Sequence, residues 1–462
     1  MDEEYEVDLA VIGTGGAAMA AAIAARQTGA LVVLVERATL GGTCVNIGCV
    51  PSKTLLAAAG TRHTALANPF PGAPTSAGGV DLGALVGQKD DLVDQLRQAK
   101  YADVAAAYGF EIRPGQATFV DGGTLAVDGQ LLHARAYVVA TGAEPDRPDL
   151  PGLEHVDYLT STTAMEQHVL PTSLVVIGGG YVGMEQAQLF AHLGTRVTLV
   201  GRLAPRAEPE LAAALADVFA GDGITVLQEH ATAVEAVDGG VQVVTASGRR
   251  VHGRRLLVAT GRRARTDGLG LAAAGVKTDD RGFVTVDDGQ RTANPRVYAA
   301  GDVTGAPQYV YVAAATGRVA AVNALADAGA RPVRVDYTGL PSVVFTRPQL
   351  ASAGLTEADA LAAGHDCTCR VLDLKDVPRA LVNRDTRGAV KLVADAGTGR
   401  VLGVHALAEG AGEMMLAATY AIKAQMSVDD VADTWAPYLT MAESLRIVAG
   451  TFRNELPTSC CA

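Results

Sequence analysis

Two stretches of the sequence share one pattern, in which a short apolar segment runs into a glycine-rich turn and then into a segment of helical length. In the first copy, residues 7–12 are the predicted strand, residues 13–18 (GTGGAA) are the turn, and an alanine-rich helix continues through Arg26. This order of strand, turn and helix is the one that a dinucleotide site requires. The pattern therefore predicts a Rossmann-like α/β fold for this part of the chain.

The residues of the first turn match the demands of a bound pyrophosphate. Gly13 permits a tight turn, Gly15 lets the phosphates approach the backbone, and Ala18 allows the helix to pack closely on the strand. The helix N-terminus then faces the phosphates, where its dipole favours negative charge. The next predicted strand, residues 31–35, is followed by Glu36, which is placed to accept a hydrogen bond from a ribose hydroxyl.

The same pattern recurs near the middle of the chain. Residues 174–177 form the predicted strand, residues 178–183 (GGGYVG) the turn, and residues 184–193 the helix. Three glycines take the corresponding places in this turn: Gly178, Gly180 and Gly183. The chain is therefore predicted to contain two nucleotide-binding units.

The two units differ at the position that contacts the ribose. At the spacing that separates Glu36 from the first turn, the second unit has Gly201, followed by Arg202, and Arg206 lies close by. Because the acid is missing and arginines are near, a ribose 2′-phosphate is accommodated rather than repelled, which predicts a preference for NADPH over NADH. The alternative is that both arginines are solvated surface residues.

Length and composition narrow the class of protein. A chain of 462 residues is long enough for two or three domains, and 49% hydrophobic with 19% charged residues is typical of a globular protein. The net charge of −12, without a basic block, argues against nucleic acid or an anionic membrane as partner, and the apolar runs are too short to span a bilayer. Six cysteines without a secretory signal predict a cytoplasmic protein whose thiols carry chemistry.

A third segment, residues 292–302, is a short apolar stretch that ends in Gly301-Asp302. With it the chain resembles the flavoprotein disulfide reductases, the class I pyridine nucleotide-disulfide oxidoreductases. In that family such a strand returns to the first domain, and its aspartate, here Asp302, binds the ribityl chain of FAD. The resemblance implies FAD at the first site and NADPH at the second. Two Ala-Thr-Gly triplets are similar to the family's crossovers between domains, which assigns Gly142 to the FAD site and Gly261 to the NADPH site.

The most specific motif is residues 41–53, GGTCVNIGCVPSK, with two cysteines separated by four residues. Cys44 and Cys49, the inner pair, can close a short disulfide, and a helix that starts here favours a thiolate. A zinc site is a poor alternative, because no second pair of ligands with zinc spacing lies elsewhere in the sequence. The motif is nearly identical to the family's redox-active disulfide. That resemblance implies that Cys49 contacts the flavin, that Cys44 engages the substrate, and that Gly42 and Thr43 bind FAD.

Two charged residues accompany these motifs. Lys53 adds a positive charge to the cysteine segment, which is useful beside a reduced flavin or a thiolate. Glu185, just after the second glycine turn, matches the family position that pairs with this lysine near the nicotinamide. Glu185 is equally well explained as an ordinary acid near a helix N-terminus.

Near its C-terminus the sequence departs from the family members that reduce organic disulfides. Those enzymes carry a histidine there, and a glutamate orients it, because cleaving a disulfide releases thiolates that must be protonated. Residues 435–443 read WAPYLTMAE, with Tyr438 in place of the histidine and Glu443 as the glutamate, and none of the 9 histidines lies in this stretch. A glutathione, lipoamide or mycothiol type of reductase would lose its base.

A soft metal ion needs dithiols but no proton shuttle of that kind. Mercury(II) binds two thiolates strongly, exchanges between thiol ligands, and leaves as the neutral atom after accepting two electrons. Cys460 and Cys461 form a second dithiol, able to take mercury(II) from thiol complexes and pass it to the inner pair. From residue 6 to 461, including residues 376–388 (DVPRALVNRDTRG), the chain closely resembles the mercuric reductases. It begins directly at the FAD domain, and we expect it to lack the N-terminal metal-binding domain of many members.

The resemblance also implies a homodimer with shared active sites. Two tyrosines of the family help to hold the metal, and the matching positions are Tyr101 and Tyr438, although Tyr101 is equally well explained as a helix surface residue. Tyr438 and the cysteine tail of one subunit would complete the site around the inner pair of the other. Cys367 and Cys369 alternate along a predicted strand and are interpreted as half-buried small side chains rather than a metal site.

The predicted architecture has three parts: an FAD-binding domain of residues 1–148 and 270–335, an NADPH-binding domain of residues 149–269, and an α+β dimerisation domain of residues 336–462. Three functions are compared. Mercury(II) reduction uses every motif described above. An organic disulfide reductase is opposed by the missing histidine, and a non-catalytic thiol carrier of metal has no use for two nucleotide sites.

Overall fold

The structure is a computed structural model and describes residues 5–453. The predicted metal-delivering residues Cys460 and Cys461 lie outside the described residues. The described chain divides into two compact units. The first combines the residues up to Thr54 with 83–146 and 261–336, and the second combines 55–82, 147–260 and the residues from Tyr337 onward. The three-domain boundaries given above stay a prediction.

The elements alternate between short strands and helices along most of the chain. The strands are Val7–Ile12, Val32–Glu36, Glu111–Pro114, Ala117–Phe119, Thr124–Val127, Gln130–Val139, Ala143–Pro145, Ser173–Ile177, Arg196–Val200, Thr225–Leu227, Ala231–Val237, Gly240–Thr245, Arg250–Gly253, Arg255–Val258, Arg262–Ala264, Val297–Ala299, Pro341–Val344, Gln349–Gly354, Cys367–Asp373, Ala389–Asp395 and Val401–Ala408.

The α-helices are Gly16–Arg26, Gly42–Asn46, Cys49–Leu66, Leu82–Arg97, Asp103–Tyr108, Ser161–Ala164, Tyr181–Leu193, Pro209–Gly221, Val310–Ala324, Glu357–Ala362, Pro378–Asn383, Ala411–Lys423, Val428–Asp433 and Glu443–Gly450. A π-helical turn at Gln98–Ala102 and 3₁₀ turns at Leu153–His155, Gly301–Thr304 and Leu374–Asp376 complete the set. None of the helices between residues 5 and 453 combines the length and the apolar character that a bilayer crossing needs.

The main sheet of the first unit has a parallel core. Val7–Ile12 lies between Val32–Glu36 and Gln130–Val139 and is parallel to both. Glu111–Pro114 extends the sheet beyond Val32–Glu36, and Val297–Ala299 pairs in parallel with Gln130–Val139. The segment that ends in Gly301-Asp302 therefore joins the same sheet as the first glycine turn. Because the carboxyl ends of parallel strands lie at one edge, the turn and Asp302 are brought to that edge.

Both faces of this sheet are covered, which explains why its strands are continuously apolar rather than alternating. Ala10 and Ile12 pack into a core on one face, whereas Leu9 and Val11 pack into a core on the other. The helix Gly16–Arg26 belongs to the second core, and its alanines allow the close approach that the sequence predicted.

The second unit contains three sheets. In a four-stranded parallel sheet, Ser173–Ile177 lies between Arg196–Val200 and Arg255–Val258, so a second Rossmann-like arrangement is present. A three-stranded antiparallel sheet follows within residues 231–253, and residues 341–408 form a five-stranded antiparallel sheet. The fold-class prediction, with two Rossmann-like units and a C-terminal α+β part, is confirmed.

The local boundaries differ slightly from the sequence-based ones. The second strand is Val32–Glu36, so Glu36 is its last residue rather than the one after it. The second nucleotide helix begins at Tyr181 and not at Met184, because Gly180 is extended and acts as its N-cap. The last three residues of the GGGYVG motif are therefore already helical.

Candidate active site

The first glycine turn leaves bare backbone at the N-terminus of the helix Gly16–Arg26. Gly13 has a φ of 110°, and a Cβ atom there would lie 2.6 Å from the carbonyl oxygen of Ala140. Gly15 is the N-cap of the helix, and the Cα of Gly42 would lie 3.8 Å from a Cβ on it. The turn that leads to the inner pair therefore packs on the first glycine turn. A pyrophosphate can approach here without meeting a side chain.

Glu36 is held in place by two hydrogen bonds. The hydroxyl of Thr14 donates to one of its carboxylate oxygens, and the amide of Ala38 donates to the other at 2.9 Å. Thr14 also accepts from the amide of Gly41 at 3.1 Å, so it links the acid to the turn before Cys44. Sequence analysis did not identify Thr14, since a threonine inside a glycine turn has no distinctive pattern.

These groups open onto one cavity of about 220 Å³ in the first unit. Its lining includes Gly13, Gly15, Glu36, Gly42, Thr43 and Arg265. Backbone donors, a fixed carboxylate and the N-terminus of a helix are the groups that an adenosine diphosphate moiety requires. The residues present therefore fit the adenosine diphosphate half of FAD.

Asp302 lies in the 3₁₀ turn Gly301–Thr304, beside the half-buried Arg262. The Nε of Arg262 is 3.9 Å from its carboxylate, and within the described residues this buried nitrogen has no hydrogen-bond partner. Burial raises the pKa of Asp302, and the charge of Arg262 counteracts that rise. An acceptor and an unsatisfied donor side by side suit a polyhydroxyl chain such as ribityl. Arg262 was not among the residues predicted from the sequence, although it directly follows Gly261.

The two Ala-Thr-Gly triplets flank a short antiparallel ladder between Ala143–Pro145 and Arg262–Ala264. The carbonyl oxygen of Gly142 accepts from the amide of Arg265 at 3.0 Å, and that of Gly261 accepts from the amide of Asp146, also at 3.0 Å. Both glycines belong to the first unit. Gly261, predicted for the NADPH site, thus lies next to Arg262, and its assignment to NADPH stays a prediction.

The inner pair is a hydrogen-bonded dithiol. Cys44 lies in the short helix Gly42–Asn46, Cys49 is the first residue of the helix Cys49–Leu66, and the two cysteines are in the reduced, dithiol form. The hydrogen bond with Cys49 raises the pKa of Cys44, as do burial and the Cys49 charge, whereas the charge of Lys53 lowers it. The pair therefore shares its protons, and a cation such as Lys53 favours the release of one of them.

Tyr101 lies next to both sulfurs. It belongs to the π-helical turn Gln98–Ala102, and its ring packs near Gly41, where a Cβ would lie 3.4 Å from the tyrosine Cδ2. Burial, followed by the charges of Cys44 and Cys49, raises the pKa of Tyr101 to about 12. The phenol consequently stays protonated at neutral pH and can donate to a thiolate. Of the two explanations offered by the sequence, the structure places Tyr101 beside the inner pair.

The second glycine turn repeats the geometry of the first. Gly178 has a φ of 111°, and a Cβ there would lie 2.4 Å from the carbonyl oxygen of Ala259. A Cβ on Gly183 would lie 1.9 Å from the carbonyl oxygen of Gly178, so only glycine allows the helix to approach the strand this closely. Apart from its chain neighbours, none of residues 5–453 places a heavy atom within 4 Å of a Cβ position on Gly180, which leaves room for a pyrophosphate.

Sheet register identifies the residue that replaces the ribose-binding acid. The amide of Gly13 donates to Val35, and the amide of Gly178 donates to Val200 in the same way. The residue after Val200 is Gly201, the counterpart of Glu36, and its φ of 145° is rarely adopted by residues with side chains. This part of the second site therefore holds no acid.

The arginines that follow Gly201 lie on a well-anchored loop. A Cβ on Gly179 would be 2.2 Å from the carbonyl oxygen of Arg202, so the loop backbone packs directly against the glycine turn. The amide of Leu203 donates to Gln228 at 3.0 Å. The side chains of Arg202 and Arg206 are exposed. Such a loop can present a cation to a ribose 2′-phosphate.

Glu185 is buried, with 7% of its surface exposed, on the helix Tyr181–Leu193. One carboxylate oxygen accepts a hydrogen bond from the amide of Phe345 at 2.9 Å. A carboxylate buried to this degree is more than a solvated helix acid, since its desolvation must be compensated. Its pairing with Lys53 stays a prediction.

Tyr438 occupies an outward-facing turn. Its side chain is 54% exposed, and the neighbouring Trp435 is 98% exposed. Glu443, in contrast, is 4% exposed at the start of the helix Glu443–Gly450. Its carboxylate accepts from the amide of Leu439 at 3.2 Å. The predicted contact of Tyr438 with the inner pair of another subunit stays a prediction.

Cys367 and Cys369 lie half-buried on the strand Cys367–Asp373. Burial, the charge of Glu357 and a hydrogen bond to it raise the pKa of Cys369 to about 12, so this thiol is protonated at neutral pH. Glu357 also accepts from the ammonium group of Lys391 at 2.7 Å. Cys369 thus belongs to an ion-pair network on this strand.

A cluster with metal-ligand chemistry also occurs in the second unit. His63, His192 and Asp222 bring their ligand atoms within 4.8 Å of one another. The two imidazoles are stacked, with centroids 3.8 Å apart and planes 15° from parallel, and their Nε2 atoms lie 3.7 and 3.0 Å from the Asp222 carboxylate. Arg387 lies 3.5 Å from the same carboxylate and supplies positive charge. These contacts already pair the carboxylate of Asp222 with both histidines and with Arg387, whose charge opposes a bound cation.

Comparison with protein families gives two matches along the chain. Residues 7–317 match the pyridine nucleotide-disulphide oxidoreductase family, and residues 340–449 match the dimerisation domain of pyridine nucleotide-disulphide oxidoreductases. Among characterised relatives, the mercuric reductase of Streptomyces lividans is 54% identical over 98% of each chain. The mercuric reductase of Bacillus cereus is 46% identical over 99% of this chain and 73% of its own.

Solved structures lead to the same group of folds. The HOCl-induced flavoprotein disulfide reductase RclA from Escherichia coli superposes with a TM-score of 0.85 at 29% identity, covering 96% of this chain and 99% of its own. LpdA from Mycobacterium tuberculosis gives a TM-score of 0.84 at 28% identity, covering 96% of this chain and all of its own.

Proposed function

We propose that this chain, which belongs to the pyridine nucleotide-disulphide oxidoreductase family and within it to the mercuric reductases, reduces mercury(II) to the neutral atom with NADPH. The enzyme uses FAD and NADPH as cofactors. The observation that carries the proposal is the hydrogen-bonded dithiol of Cys44 and Cys49 beside a phenol that stays protonated, in a chain with Tyr438 where a disulfide reductase has histidine.

The overall reaction balances without a further reductant. NADPH gives up a hydride, mercury(II) gains the two electrons and leaves as the neutral atom, and a proton is released together with NADP⁺. When bound, FAD takes up the two electrons of the hydride and passes them towards the inner pair. Thiolates suit mercury(II) because soft ligands select soft metals.

Each residue of the thiol site has a distinct proposed role. Cys44 and Cys49 hold the metal, and Lys53, whose charge lowers the pKa of Cys44, favours the thiolate form that binds it. Tyr101 is protonated, so its hydroxyl can donate a hydrogen bond to a thiolate after the metal has left. By resemblance, Cys49 is the flavin-side sulfur and Cys44 is the substrate-side sulfur.

The substrate is proposed to arrive as a thiol complex of mercury(II) in the cytoplasm. Cys460 and Cys461, outside the described residues, would exchange onto the metal and deliver it to the inner pair of the partner subunit. The match to a dimerisation domain supports a homodimer, and the exposed turn that carries Trp435 and Tyr438 lies within the matched residues. Exposed aromatic side chains of this kind are typical of interface anchors.

An organic disulfide reductase is the second candidate function, because the flavoprotein disulfide reductase RclA has a similar fold. The stretch around Tyr438 opposes it. Among residues 434–442, all described, no side chain is a histidine that could protonate the released thiol.

The test of the proposed function compares both substrates on one preparation. The purified FAD-containing protein is supplied with NADPH and with mercury(II) in excess small thiol, and in parallel with oxidised glutathione, lipoamide and mycothione. NADPH consumption and release of mercury vapour are measured. We expect both with mercury(II) and almost no NADPH consumption with the disulfides; strong turnover of any disulfide without mercury release would overturn the assignment.

Nucleotide choice gives a separate prediction. Arg202→Ala should raise the KM for NADPH about tenfold, because a charge-assisted hydrogen bond to the 2′-phosphate contributes about 1.5–3 kcal/mol. The KM for NADH, which has no such phosphate, should stay unchanged. Steady-state kinetics with both nucleotides measure this, with Arg249→Ala, an exposed arginine of the same unit, as the matched control. Equal use of NADH and NADPH by the wild type would contradict the role of Arg202.

A further inference from the structure

The carboxylate of Glu443 is built into the turn that carries Tyr438. Glu443 is the first residue of the helix Glu443–Gly450 and is 4% exposed. One of its carboxylate oxygens accepts from the amide of Leu439 at 3.2 Å. Its own amide donates to the hydroxyl of Thr440 at 3.3 Å, so the residue is bound to the turn at both ends.

The turn itself is strained and needs such support. Leu439 has a φ of 62°, in the left-handed region that residues with a side chain seldom adopt. The hydroxyl of Thr440 donates to the carbonyl oxygen of Pro437 at 2.9 Å and closes the turn from the other side. Conformations of this kind persist only when their surroundings determine them. The direction of Tyr438, which directly precedes Leu439, depends on these bonds.

The environment of Glu443 differs from that of an acid–base group. A glutamate that orients a histidine would direct its carboxylate to an imidazole, whereas here the carboxylate faces a backbone amide. Its charge is supported by the N-terminus of its own helix and by Arg446, whose guanidinium lies 4.0 Å away. The two hydrogen bonds of Glu443, one through its carboxylate and one through its amide, both join it to the turn.

We propose that Glu443 is a positioning residue for mercury reduction: its carboxylate oxygen holds the amide of Leu439 and thereby sets the direction in which Tyr438 leaves the turn. The inference rests on the proposed function, since it concerns how Tyr438 reaches the metal. Glu443 then acts as a hydrogen-bond acceptor at a fixed distance from the main chain, and its role depends neither on proton transfer nor on its charge.

Three substitutions separate reach from charge. Glu443→Gln keeps an acceptor oxygen on a side chain of the same length and removes the charge. Glu443→Asp keeps the charge on a side chain that is one methylene group shorter. Glu443→Leu removes both at similar volume. We expect the glutamine variant to keep mercury turnover within about twofold, and the aspartate and leucine variants to lose about tenfold or more, because small misplacements near reacting groups are costly.

Two measurements show whether the effect passes through Tyr438. Adding Glu443→Leu to the Tyr438→Phe variant should lower mercury turnover little further than Tyr438→Phe alone does, because the effects of residues that act as one unit are not additive. Hydrogen exchange at the amide of Leu439, followed by mass spectrometry, should be fast in the leucine variant and protected in the glutamine variant. Glu413→Gln, an exposed first-turn acid of the helix Ala411–Lys423, is the matched control.

The outcomes decide between the alternatives. Higher activity of the aspartate than of the glutamine variant would assign a charge or a proton to Glu443 and overturn the proposal. If the losses of mercury turnover caused by Glu443→Leu and Tyr438→Phe are fully additive, the proposal is overturned as well. The exchange experiment contains no mercury, so it tests the positioning bond even if the wild type fails to reduce mercury(II). Thermal melting and FAD content, measured for every variant, show whether a loss of mercury turnover reflects unfolding. If the leucine variant is unfolded, the comparison of the glutamine and aspartate variants decides.

Discussion

Cys44→Ala and Cys49→Ala are each expected to abolish mercury-dependent NADPH oxidation, with a loss of about a thousandfold or more. Holding mercury(II) requires two soft ligands at one place, and the two thiols are in hydrogen-bond contact there. Within the described residues of the first unit there is no third cysteine that could substitute. The measurement is the rate of NADPH consumption with mercury(II) in excess small thiol, at equal FAD content.

The same variants distinguish the two sulfurs. Two-electron reduction of the wild type should produce a long-wavelength charge-transfer band, and Cys49→Ala should remove it, because Cys49 is proposed to contact the flavin. Persistence of the band in that variant would show that the roles are exchanged. Cys369→Ala is the matched control, since this thiol is hydrogen-bonded to Glu357 in the second unit. The activity of this variant should equal that of the wild type.

Replacing Cys460 and Cys461 together by alanine is expected to lower turnover of tightly chelated mercury at least tenfold, while small thiol complexes are still reduced. Adjacent residues place their Cα atoms about 3.8 Å apart, so a disulfide between them is strained, whereas two thiolates can jointly take a soft ion from a competing dithiol. Turnover is measured with mercury(II) bound to a dithiol and, separately, to excess monothiol.

FAD content, melting temperature and reduction of the inner pair by NADPH should be unchanged in this double variant, because it acts on metal delivery alone. Ser459→Ala serves as the control for a change in the same tail. If the double variant reduces dithiol-bound mercury at the wild-type rate, the tail has no part in delivery. If NADPH no longer reduces the flavin, the tail belongs to the electron path instead.

Features that depend on neighbours in the chain were predictable from the sequence. The glycine turns are the clearest case: at Gly13 and Gly178 a side chain would collide with the backbone of Ala140 and Ala259, so few residue types are allowed there. The register of the parallel strands then shows that Glu36 and Gly201, which were compared by sequence spacing, also occupy equivalent positions in the two sheets. The fold class followed from such local patterns, whereas the family and FAD followed from the resemblance to known proteins; all three are confirmed.

Features that depend on distant segments could not be predicted in this way. Tyr101 was explained equally well as a surface residue, because nothing in the sequence around it indicates that the fold brings it close to the two thiols. Arg262 was missed as a neighbour of Asp302, because the two residues lie far apart along the chain and only the fold brings the arginine Nε within 3.9 Å of the carboxylate. Thr14 escaped notice because its two bonds, to Glu36 and Gly41, join segments that are far apart along the chain.

By itself, the sequence determined that the chain has two nucleotide-binding units, a thiol pair, and a tyrosine where a histidine would protonate thiolates, because each is a matter of residue type at short spacing. Only the tertiary structure decided that Tyr101 lies beside the thiols with a raised pKa and that the carboxylate of Glu443 faces the amide of Leu439. Protonation and hydrogen-bond direction depend on burial and on long-range packing, and no local pattern specifies either.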